Sequence, residues 1–129
     1  MPCNVGVVTS IETVVRFITA MDGRDVAAVR ELADEEIEIV GSETAGGIEE
    51  VARVAGRAPE PVEETTEVLE WTQRRDCVLV KARRRLRWLG CDEPPHEELV
   101  SGVFVLGSDG RIRHVRLFDD AEGAWGYAP

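Results

Sequence analysis

The 129-residue chain has little lysine, histidine, cysteine or aromatic residue, and no long apolar run. Lysine occurs once, at Lys81, so the other 14 of the 15 basic residues are arginines, a usage that reflects genomic bias more than function. Those bases are outnumbered by 25 acids, which sets the net charge at -10 and the pI near 4.7. Such a surface repels phosphate backbones, so no nucleic-acid partner is expected. Cys3, Cys77 and Cys91 are an odd count with no C-x-x-C and no histidine spaced for zinc, which argues against a disulfide framework and a structural metal. The apolar run over 5–8 is far shorter than a signal h-region, and nothing approaches the ~20 apolar residues of a membrane span. A reducing cytoplasm is the expected location, with no membrane partner and no cofactor.

What is present is a globular balance of 43% hydrophobic and 31% charged residues in a chain long enough for one core. A single domain over 1–129 is expected. Thr9 with Glu12 forms a capping-box pattern, and Ile11, Val14, Val15, Ile18 and Met21 recur at helical spacing, which predicts a helix over 10–21. Asp25 can cap a second, short helix carrying Val26, Val29, Leu32 and Ala33 and ending near Asp34. Ile37 and Ile39 alternate with acids as a short strand. Ile48, Val51, Ala52 and Ala55 suggest a third helix closed by Gly56.

From Val62 onward the period is that of strands, over 62–73, 77–89, 96–106 and 111–119. The turns fall at Arg74-Arg75-Asp76, at a Gly- and Pro-bearing loop over 90–95, and at Gly107-Ser108-Asp109-Gly110. Trp125 and Tyr127 are expected to hold down a tail. Helices followed by a meander predict an α+β fold: a cone-shaped, curved antiparallel sheet wrapped around two to three N-terminal helices, able to enclose a pocket.

Val15-Arg16-Phe17-Ile18, Asp25-Val26-Ala27-Ala28-Val29, Gly47-Ile48-Glu49-Glu50-Val51 and Ser108-Asp109-Gly110-Arg111-Ile112-Arg113-His114-Val115 stand in an order that resembles the SnoaL-like branch of the nuclear-transport-factor-2-like superfamily, over nearly the whole chain. The resemblance implies a cystatin-like cone and places the chain among ketosteroid isomerases, polyketide cyclases, limonene epoxide hydrolases and pocketed proteins without known activity. The isomerases' oxyanion-stabilising tyrosine falls on Phe17. Their general-base aspartate falls on Gly41, or on Val40 if the register slips, and their protonated aspartate near Gly102. The cyclases' and epoxide hydrolases' aspartate falls on Leu117. None of these positions carries the group that the chemistry needs.

Alternation leaves other candidates. Val78, Val80 and Ala82 place Arg84 on the inner face, where a guanidinium requires a partner, and Glu98 on the facing strand can lie opposite Leu86 and diagonal to Arg84. The functional reading is a clamp for an anion or carbonyl, oriented by Glu98, walled by Trp71 and Trp88, with Phe17, Phe104 and Leu117 completing the pocket. The plainer reading is a structural ion pair. A small hydrophobic or weakly acidic molecule is the expected ligand. An enzyme of isomerase, cyclase or hydrolase type using Glu98, His96 or Glu43 is the alternative, and a dimerisation module whose cone is filled by Phe17, Phe104 and Leu117 is a third. Lys81, Arg83, Arg85 and Arg87 form a basic stripe on the outer face, which we read as a solvated face or a homodimer interface with Glu97 as a balancing charge. His114 falls on that outer face with Ile112, Arg116 and Phe118. The acids Asp34, Glu35 and Glu36 read as a solvated helix end.

Overall fold

The computed structural model describes residues 2–41, 44–56, 62–90 and 92–118, with backbone alone over 2–9. Glu43, Cys91, Trp125 and Tyr127 lie outside the described residues. Helix α1 (Pro2–Asp22) begins well before the expected cap, so Thr9 lies inside it. The Thr-x-x-Glu pattern also occurs in helix interiors, and Pro2 suits a first helical position because its missing N–H is not needed there. Asp25 does cap α2 (Val26–Leu32): its carboxylate accepts the Ala28 N–H at 3.1 Å. Ala33 then turns extended, and β1 (Ala33–Val40) starts directly, so Asp34, Glu35 and Glu36 belong to a strand and not to a helix end. A two-residue β2 (Ala45–Gly46) follows, then α3 (Ile48–Gly56).

The long strands are β3 (Val62–Arg74), β4 (Cys77–Trp88), β5 (His96–Leu106) and β6 (Ile112–Phe118). The sheet order is β2-β1-β6-β5-β4-β3. The meander from β3 to β6 is antiparallel, whereas β1 joins β6 in parallel. The sheet is therefore mixed. It is open and curved, and register shifts at Val68/Glu70, Val105/Leu106 and Ala33/Glu38 supply places to bend.

The helices cover the concave face. Val14, Phe17 and Ala20 of α1 pack with Val78, Val80, Ala82, Phe104 and Val115 of the sheet, and α2 and α3 add Val29, Val51 and Ala55. Each of the larger side chains contributes about 1.5–3 kcal/mol by leaving water. Phe17 takes the position in this stripe that the helical period had given to Val15, which points outward. On the convex face a smaller cluster forms around Leu79 and Val103. The shift at Val105/Leu106 has a further effect: Ile112 pairs with Leu106 and is buried in the inner core, while His114 faces out. The extra residue, Arg113, breaks the alternation that had placed both on one side.

Candidate functional site

The concave face is covered unevenly along β4. Val78, Val80 and Ala82 are buried under the helices, Arg84 and Leu86 are half-buried, and Trp88 is 43% exposed. The cover stops at the end of α1, where Asp22 reaches edge strand β3: its carboxylate accepts the Thr66 N–H at 2.8 Å and the Thr66 hydroxyl at 3.1 Å. Burial pushes the Asp22 carboxyl above its ordinary value, with Glu64 adding to the rise, while the Thr66 bonds and Arg84 pull it down.

Beyond Asp22 the strand register assembles a charged rim. Arg84 lies between Thr66 on β3 and Glu98 on β5, and Leu86 lies between Glu64 and His96. Glu98 thus sits directly opposite Arg84 instead of opposite Leu86. The offset from the expected pairing is two residues, an even number, so Glu98 keeps its inward face. Arg84 Nη2 is 3.1 Å from Glu64 Oε2, Arg84 Nη1 is 4.0 Å from Glu98 Oε1, and His96 Nε2 is 3.8 Å from Glu98 Oε2. Next to this rim a groove of about 630 Å3 is lined by Leu86, Trp88, Glu93, Pro94, Pro95 and His96.

Farther inside, Leu117 pairs with Gly102 and is 48% exposed although it belongs to the inner face. A Cβ on Gly41 would stand 3.2 Å from Leu117 Cβ, and one on Gly102 would stand 3.3 Å from Leu117 Cδ2. The positions matched to the isomerase and cyclase acids are therefore neighbours in space, and here they form an apolar wall. Phe17 and Phe104 meet edge to face with centroids 6.5 Å apart, each only 3% exposed, and form the floor below.

Trp71 does not stand beside Trp88 as a second wall. It faces inward opposite Val80, eight residues along β4 from Trp88, a separation on the order of 25 Å along the strand. His114 is on the convex face, 3.3 Å from Glu38. Two rim residues, Glu64 and Asp22, are not marked as site residues by the sequence. Glu64 shares the inward parity of Val62, Thr66 and Val68, which was the available signal; Asp22 reads only as a helix breaker until β3 is docked against it.

Three of the four cations of the basic stripe on the convex face meet carboxylates within the chain, with Arg83 3.3 Å from Glu67, Arg85 3.2 Å from Glu97 and Lys81 3.7 Å from Glu70. A second groove of about 600 Å3 between α2 and α3 holds Arg30 and Glu49, which are engaged with each other through two bonds of 2.8 and 3.0 Å.

No family model matches the chain, and no curated protein matches it. Solved structures do. An epoxide hydrolase of the LEH-like type from M. tuberculosis superposes with a TM-score of 0.72 at 21% identity, covering 91% of this chain and 82% of that one. A protein from Catenulispora acidiphila with a ketosteroid-isomerase-like fold gives 0.71 at 15% identity, covering 83% and 84%. A SnoaL-like protein of Jannaschia sp., proposed to be a polyketide cyclase, gives 0.70 at 21% identity, covering 93% of each chain. At these identities the likeness establishes architecture, and the chain has the curved-sheet fold of the nuclear-transport-factor-2-like superfamily, shared with its SnoaL-like and ketosteroid-isomerase-like members.

Proposed function

We propose that the chain binds a small, largely apolar molecule in the open part of the cone, and that it lacks the catalytic groups of the enzymes with this fold. The observation that carries this reading is the uncovered inner face at the cone mouth: Trp88 is 43% exposed in a groove with Leu86, Pro94 and Pro95, beside a rim of polar groups from β3, β4 and β5, while Leu117 stands 48% exposed deeper in the cone, near the packed Phe17–Phe104 pair. Apolar walls with a few convergent polar groups are the usual composition of a ligand site. Proteins of the same fold bind ligands of opposite character. The Catenulispora protein holds trimethylamine, and a further neighbour, TerC, at a TM-score of 0.72 and 15% identity, was co-crystallised with polyporic acid. Fold alone thus leaves ligand chemistry to the lining side chains.

Turnover through Glu98, His96 or Glu43 is less well supported. The His96–Glu98 separation of 3.8 Å is longer than a hydrogen bond, and Arg84 also flanks the Glu98 carboxylate. The convex face carries an exposed Leu99 beside its ion-pair lattice, which favours a homodimer through the outer sheet face.

Native mass spectrometry of protein taken directly from cells tests the binding reading. A stoichiometric small-molecule adduct released on denaturation is expected. A bare mass, together with no small molecule that raises the melting temperature, would discard it.

A further inference from the structure

The charge around Arg84 specifies the polar end of the ligand, an inference that rests on the small-molecule reading above. An anion clamp needs guanidinium donors that are still available. Arg84 is instead paired with Glu64 at 3.1 Å and flanked by Glu98 at 4.0 Å. Asp22 is tied to Thr66, which pairs with Arg84 across the strands, and Glu93 lines the adjoining groove with His96. Among the described residues, the carboxylates at this rim, Asp22, Glu64, Glu93 and Glu98, outnumber its guanidinium, Arg84, and its imidazole, His96. An incoming carboxylate must displace Glu64 from Arg84 and then sit among the remaining acids. An ammonium meets attraction from each of them, and the partial burial of Asp22, Glu64 and Glu98 preserves their share of it against solvent screening.

The apolar side of the groove suits the same guest. Trp88 is 43% exposed and lies in one groove with Leu86, Pro94 and Pro95, so it offers both a hydrophobic wall and a π face for a cation. We propose that the cone mouth takes a cationic amphiphile, with an amine or quaternary ammonium at Glu98 and Glu64 and a small apolar body against Trp88 and Pro95. This replaces the weakly acidic ligand expected when Arg84 is considered without Glu64.

Isothermal titration calorimetry with 4-phenylbutylamine, 4-phenylbutanol and 4-phenylbutanoate at neutral pH and low salt tests it. The amine is expected to bind at least tenfold tighter than the alcohol, with the carboxylate weakest and the amine's advantage shrinking as salt is added. Glu98→Gln and Glu64→Gln should each weaken the amine at least fivefold and leave the alcohol unchanged. Arg84→Gln should tighten the amine, whereas an anion clamp predicts loss of binding on that substitution. Circular-dichroism melts confirm that each variant is folded. Equal affinities for amine and alcohol, a carboxylate that binds tightest, or an amine weakened by Arg84→Gln would overturn the cationic assignment while leaving the binding reading in place. Failure of all three probes would also overturn the cationic assignment, while the binding reading is decided by the adduct measurement above.

Discussion

Asp22 occupies a position that helix electrostatics disfavours. It is the last residue of α1, where the helix dipole is negative, and it is partly withdrawn from water. What it gains is the Thr66 N–H and hydroxyl on edge strand β3. Because burial raises the folded-state carboxyl above its ordinary 3.8, the folded chain holds this proton more tightly than the unfolded chain does. The sign follows: stability contributed by Asp22 is fully present below pH 3.8 and falls as pH rises through the folded-state value. Asp22→Asn keeps an acceptor for the Thr66 N–H and removes the buried charge, so its melting temperature should exceed that of the wild type at pH 7 and the difference should vanish in acid. Asp22→Ala deletes both bonds and leaves a half-buried N–H unpaired, at a cost of about 1–3 kcal/mol in urea unfolding. Gly102 poses a simpler packing question. A Cβ there would stand 3.0 Å from Phe104 Cε1, so Gly102→Ala should destabilise the fold by about 1–3 kcal/mol through displacement of the Phe17–Phe104 pair.

At the scale of elements, β4 is the strand whose role was most legible. Val78, Val80 and Ala82 alternate with Leu79, Lys81 and Arg83 so regularly that the inner face follows from side-chain period alone. Val78, Val80 and Ala82 all join the inner core whereas Leu79, equally buried, joins the convex cluster, and Arg84 follows with the inner parity. The pairing offset between β4 and β5 was not legible, because the loop between Trp88 and His96 decides it and Gly and Pro there specify only that the chain turns. Bulges were equally hidden: the one at Val105/Leu106 moved Ile112 inside while leaving His114 outside. The α1–sheet contact is the main seam of the core, so Phe17→Ala is expected to cost about 3–5 kcal/mol in chemical denaturation. The convex-face pairs behave differently, being exposed on both partners. Arg85→Gln should change stability by less than about 0.5 kcal/mol, measured in the same way.

At the scale of the whole molecule, net charge -10 is distributed unevenly. On the convex face, Lys81, Arg83 and Arg85 of β4 are paired with glutamates of β3 and β5, while the cone mouth keeps an excess of carboxylates. Those pairs lower the charge that the convex face presents to a second copy of itself. Light scattering after size exclusion should give twice the 14.2 kDa chain mass, and Leu99→Asp should return it to the monomer, while a monomeric wild type would rule out that interface. Helix caps, strand periods, turn positions and the α+β class follow from the chain alone, because each depends on residues close in sequence and on a hydrophobic period that a short segment carries by itself. The parallel seating of β1 on β6, the Asp22–Thr66 clasp, the Glu64–Arg84–Glu98 rim and the distance between Trp71 and Trp88 depend on registers and bulges between segments far apart in sequence. Those are decided by how the whole core packs, and only the folded molecule brings them into being.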